Sequence, residues 1–216
     1  MRAQLKNILN QIGNFHKKAE DLETQSGNYR EEAEALRPTP VRGFNASKII
    51  NNEEIEEFLD EFPQKIFKEI ESIRFSDNVS GNSFEMRLGI SHKDRRTNKS
   101  VITMFRDLFR EEKSKEKMIE EFKMTIAHEV GHTVFEKFMD DKSRWKWGEV
   151  YQASMLNKRF ITAQAEYGRA DDFCECFAMF KVKPKKLEKF DEARYDFIKK
   201  VYSTLEKTGE KNNEKD

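Results

Sequence analysis

The chain has 216 residues and a mass of 25.6 kDa, the size of one ordinary domain or of one domain with a helical appendage. Charged residues make up 37% of it, against a typical share of about 25%, yet its 18 Phe exclude wholesale disorder, because disordered chains lack the aromatic surface that offsets ordering entropy. Lys plus Arg and Asp plus Glu balance at 40 each, so no net field draws the chain to a polyphosphate or an anionic membrane, and neither is expected as a partner.

No apolar run approaches the roughly 20 residues needed to cross a bilayer, and the opening MRAQLKNILNQIGN lacks the apolar core of a secretory signal. A soluble protein is expected. Cys174 and Cys176, two positions apart, are too close for an easy disulfide, which fits the cytoplasm or another reducing compartment.

Residues 1–36 carry Leu5, Ile8, Ile12, Phe15, Ala19 and Leu22 at alternating three- and four-residue steps, one apolar seam on a helix. The seam breaks at Ser26-Gly27 and is too short to stand alone, so 1–36 reads as a helical arm for docking or self-association. Arg37-Pro-Thr-Pro-Val-Arg-Gly43 marks a linker over 37–50, since neither helix nor central strand continues through it.

From Asn51, Asn-Asn-Glu-Glu opens a helix with Ile55, Phe58 and Leu59 on one face. Pro63 bends it, and Ile66, Phe67, Ile70 and Ile73 extend the stripe. Ser83–His92 alternates Phe84, Met86, Leu88 and Ile90 with polar residues, the period of a half-buried strand, and Val101–Phe105 reads as its hairpin partner. The longest helical pattern covers 112–139, through Met118, Ile119, Phe122, Ile126, Val130, Val134 and Phe138. Residues 143–165 are mixed, Asp171–Phe180 is helical up to Pro184, a last amphipathic helix runs from Glu192 to Leu205, and 206–216 is a frayed tail. The fold class is therefore α+β and mostly helical, with a small sheet or hairpin packed on the longest helix and the main domain at 51–205.

Within that helix stands His128-Glu-Val-Gly-His132, an HExxH pattern. Four-residue spacing projects both imidazoles from one helical face, close enough to bind one metal ion, with Glu129 alongside. Chance matches in a chain of this length are on the order of 1%. Gly131 costs the helix about 1 kcal/mol relative to Ala, which implies that another backbone comes close there. Two His leave zinc short of a ligand. The continuation HExxHxxGxxH is excluded, because Phe135 and Phe138 stand where it needs Gly and His. The helix at 171–180 offers Asp171, Asp172 and Glu175; Asp171 and Glu175 share a face and can divide the work, one on the metal and one holding a ligating His. Cys174 and Cys176 point to nearly opposite sides, so at most one could face a metal, and they read as buried structural thiols; Trp145 and Trp147 read as core or groove, and His92 as a surface residue.

HEVGH and the string Ile161–Ala178 together resemble the zinc endopeptidase domain of anthrax lethal factor and the related Pro-Pro endopeptidases. The looser similarity runs from about Asn51 to Tyr202. The resemblance implies a zincin-like domain of the gluzincin type and hydrolysis of peptide bonds by a metal-activated water, with a peptide or protein as substrate. His128 and His132 would hold one zinc per chain, Glu129 would be the general base, and a carboxylate of the second helix the third ligand. Gap-free matching puts Asp171 at the ligand position, where the family usually has Glu, and leaves Glu175 to hold a ligand or replace one. The family's catalytic Tyr falls on Gln164 by the same counting, whereas the string Tyr167-Gly-Arg matches after a three-residue deletion; Tyr167 is the expected residue. Two further readings stand beside this one: a catalytically degenerate zincin fold with a binding or structural part in a virion or toxin assembly, and a short HExxH peptidase of the kind that accompanies phage repressors.

Overall fold

Asn51 and Ser114 each open a helix by accepting a backbone hydrogen bond. Asn51 takes the Glu54 N–H at 2.8 Å while the Glu54 carboxylate takes the Asn51 N–H at 2.9 Å, a reciprocal cap on α1 (Asn52–Asp60). Ser114 caps α2 (Lys115–Lys137). The computed structural model describes residues 39–77, 88–108 and 113–207; the chain divides between Pro40 and Val41, and all the described helices and strands lie in the second unit. The helical arm expected at 1–36, the strand residues 83–87 and the tail beyond 207 fall outside the described residues.

The second unit is α+β and mostly helical, with a sheet in the order β1-β2-β4-β3. Its strands are β1 (Val41–Arg42), β2 (Ile70–Ser76), β3 (Gly89–Lys93) and β4 (Ser100–Phe105). β1 and β4 flank β2 in parallel, and β3 returns antiparallel on β4, with Ser91 opposite Ile102. The expected hairpin is this β3–β4 pair. β1 falls within residues 37–50, and Phe44 just after it is fully buried against Phe75 and Phe122.

The stripe from Ile66 to Ile73 is not one α-helix. Residues 64–69 make a short 3-10 stretch, and Ile70 and Ile73 lie in the central strand. A register shift between Ile70 and Ser72 inserts one residue, so Ile70 faces Ser100, Ile73 faces Ile102, and both point to the same buried side. The bulge thus gives a strand a three-residue spacing that imitates a helix.

Residues read as mixed contain a long helix, α3 (Asp141–Asn157). It buries Trp147 and Ser154 while Trp145, Met155 and Leu156 are exposed, which hides its period in the sequence. α4 (Arg169–Val182), α5 (Pro184–Phe190, with Pro at its start) and α6 (Glu192–Lys207) complete the unit. Phe173 and Trp147 meet edge to face, Phe173 stacks on Phe177, and Phe177 reaches Phe62, so one aromatic chain joins α3 and α4 to the residues after α1. On the sheet side, Thr133 of α2 donates to Ser100 of β4 at 2.9 Å inside the core.

Candidate metal centre

α2 and α4 pack face to face through matching positions, His128, Gly131 and His132 on one and Asp171, Cys174 and Glu175 on the other. The reason for glycine at 131 is now concrete. A Cβ there would sit 3.2 Å from the Cys174 Cα and 3.3 Å from its Sγ, so a side chain would push the helices apart.

The two Nε2 atoms of His128 and His132 are 3.2 Å apart. Asp171 Oδ1 lies 3.9 Å from each of them. Zinc bonds of about 2.0–2.1 Å in a tetrahedron require ligand atoms about 3.3 Å apart, so the imidazoles stand at that spacing and the carboxylate needs a shift of roughly half an ångström. Cys174 Sγ belongs to the same constellation, within 4.8 Å of both imidazoles. The donor set fits zinc: beside the two imidazoles stand a carboxylate at 3.9 Å from each and a thiol, either of which is a zinc ligand by type.

Glu175 Oε1 stands 2.7 Å from His128 Nδ1, a close ionic contact made off the straight line of the ring N–H. When the imidazole is neutral with its proton on Nδ1 beside Glu175, the Nε2 lone pair is left for the centre. Burial opposes charge on His128, but Glu175 outweighs it and holds the imidazole above its ordinary range; His132 is pushed down by burial and by His128.

Glu129 is buried, and its carboxyl is pushed up to about 7 by burial, against the pull of His128 and of the Ser91 N–H that donates to it. Gly89 makes room for it: a Cβ at that position would lie 3.2 Å from Glu129 Oε1 and 2.9 Å from Thr125 Cγ2. β3 is an edge strand, β1 being the other among the described residues. The Phe105 N–H donates to the Leu88 carbonyl and the Asp94 N–H to the Lys99 carbonyl, so by alternation residues 90 and 92 bond β4 while Gly89, Ser91 and Lys93 turn their backbone outward.

Tyr167 is 84% exposed. The amide of Gln164, in the same short 3-10 turn, lies 3.5 Å from His128 Nε2. The signal for Gln164 in the sequence was its gap-free count from Asp171. Asp172, the other acidic candidate, faces away into a buried contact with Arg194 at 2.7 Å. Both cysteines are free and buried on opposite sides of α4, Cys174 against Gly131 and Cys176 on Arg194; burial pushes Cys176 up to about 12. Of the tryptophans, Trp147 is core and Trp145 exposed, and His92 is exposed as expected.

No family model and no curated protein matches the chain. Among solved structures it is similar to a Bacteroides caccae ATCC 43185 protein provisionally described as a zinc-binding metallo-peptidase, at 14% identity and a TM-score of 0.41. That match covers 73% of this chain and 65% of the other. The chain thus spans less than two thirds of its structural neighbour. Among the described residues no helix is long and apolar enough to cross a membrane.

Proposed function

We propose that the protein is a zinc-dependent endopeptidase of the gluzincin arrangement. The observation that carries this is the convergence of His128 Nε2, His132 Nε2 and Asp171 Oδ1 at near-tetrahedral separations beside a buried Glu129. In this reading His128, His132 and Asp171 hold the metal and Glu175 orients His128. Asp171 is favoured over Cys174 as third ligand because its carboxylate lies 3.9 Å from both imidazole nitrogens and is partly open to solvent, whereas the Cys174 thiol is fully buried, which pushes it towards the protonated form. When bound there, zinc would polarise the scissile carbonyl and acidify water.

Glu129 takes the proton of the attacking water and returns it to the leaving amine, a task for which its carboxyl stands beside the imidazoles inside the site. Gln164, with its amide at the imidazoles, is in reach to donate to the oxyanion, the part first assigned to Tyr167. An extended peptide would pair with the outward groups of β3, using the Ser91 carbonyl and the Gly89 and Lys93 backbones while the Ser91 N–H stays on Glu129. The test is Glu129→Gln on the full chain: loss of peptide hydrolysis with one zinc retained supports the reading, and undiminished hydrolysis overturns it.

A further inference from the structure

Arg194 of α6 is 1% exposed, and it spends its guanidinium on three elements at once. One amino group donates to Asp172 Oδ1 at 2.7 Å and to Cys176 Sγ at 3.1 Å, both on α4. The other donates to Ser154 Oγ on α3, and Nε lies 3.6 Å from Asp191 Oδ2 at the start of its own helix. The plane sits 5.2 Å from the Trp147 ring. A fully buried arginine is a costly way to join helices that an aromatic chain already joins, since replacing such a pair by apolar residues is often neutral or stabilising. A planar fork, however, fixes orientation where apolar packing does not.

The orientation it fixes belongs to the helix that carries Asp171. Among the described residues the ion-pair contacts of the Asp171 carboxylate are the two imidazoles alone, so its place depends on how α4 is turned about its axis. Aspartate has one methylene and little rotamer freedom with which to correct an error. A turn of roughly 10° displaces a group about 5 Å from the axis by about 1 Å, more than the margin by which Asp171 misses coordination distance. Beyond apolar packing, charged contacts on opposite sides of the helix resist that turn: Glu175 on His128, and Asp172 on Arg194.

We infer that Arg194 is a positioning residue for the metal centre: through Asp172 and Ser154 it sets the rotation of α4 that brings Asp171 to the imidazoles. This inference rests on the zinc reading of the site. Its test is the affinity of the full chain for zinc alone and the visible spectrum of bound cobalt, measured on folded wild type, Arg194→Met and Ser154→Ala. Tyr202→Phe is the comparison, because it removes the contacts of the α6 phenol to the Glu61 carbonyl and to Lys181 near the far end of α4 without touching the Arg194 cluster.

Zinc affinity should fall at least tenfold in Arg194→Met and about threefold in Ser154→Ala, with a cobalt spectrum shifted from wild type, while Tyr202→Phe melts lower but binds as wild type. A purely structural Arg194 would behave like Tyr202. Wild-type affinity and spectrum in Arg194→Met, or in Ser154→Ala should the former not fold, overturns the inference. Wild-type protein that takes up no zinc overturns the reading of the site itself, a separate result.

Discussion

The two faces of α4 carry the same residue types and hold them under different conditions. Asp171 and Cys174 look towards α2 and the imidazoles, where Asp171 is 30% exposed and its ion-pair contacts among the described residues are the two histidines. Asp172 and Cys176 look the opposite way, where Asp172 is fully buried and meets a permanently charged arginine. One residue of offset turns a helix by about 100°, enough to make neighbours in sequence into members of separate sites. The open face keeps its carboxylate available to a ligand, whereas the closed face consumes its carboxylate in holding the helix.

The largest expected contrast comes from attacking each site in turn. Glu129→Gln should lower peptide hydrolysis by about 10²–10⁴-fold with little loss of stability, read by single-turnover assays and melting on one preparation. Arg194→Met leaves Asp172 as an unpaired buried acid, already raised by burial against the pull of Arg194, and should cost about 3–5 kcal/mol in denaturant unfolding. Gly131→Ala strikes the contact between the helices and should cost about 1–3 kcal/mol with weaker zinc binding, because the added methyl meets backbone as well as sulfur.

Removing zinc with a chelator should lower the melting temperature, and restoring it at about a thousand times its dissociation constant should return about 4 kcal/mol. The smallest effect concerns pH. Burial raises the Tyr202 phenol above its ordinary 10.0, so its contribution is fully present below about pH 10 and is lost as pH rises further. Tyr202→Phe should flatten that alkaline loss in melting curves without altering zinc affinity.

The open face was largely legible in the sequence and the closed face was not. His128, His132 and Glu129 are read from a five-residue string, and Asp171 with Glu175 from a four-residue step, because a helix brings such positions together whatever surrounds it. Gly131 announced a close neighbour without saying which. Gln164 required a loop conformation that spacing alone does not give, and Tyr167 three residues on is turned to solvent. Arg194 lies 22 residues from Asp172 and 40 from Ser154, separations at which only tertiary packing decides the partner. The same holds for β2, whose bulge disguises a strand as a helical stripe, and for α3, whose exposed Trp145 and Leu156 blur its buried side.

Two imidazoles and a carboxylate, rather than a thiol, are proposed to hold one zinc between α2 and α4. X-ray absorption at the zinc edge of the loaded wild-type protein tests this most directly, since zinc–sulfur and zinc–oxygen or –nitrogen bonds differ by about 0.3 Å. One zinc per chain is expected, in a shell of nitrogen and oxygen at about 2.0–2.1 Å with two imidazoles and no sulfur. A sulfur shell at about 2.3 Å would transfer the third position to Cys174, and absence of bound zinc would contradict the account altogether.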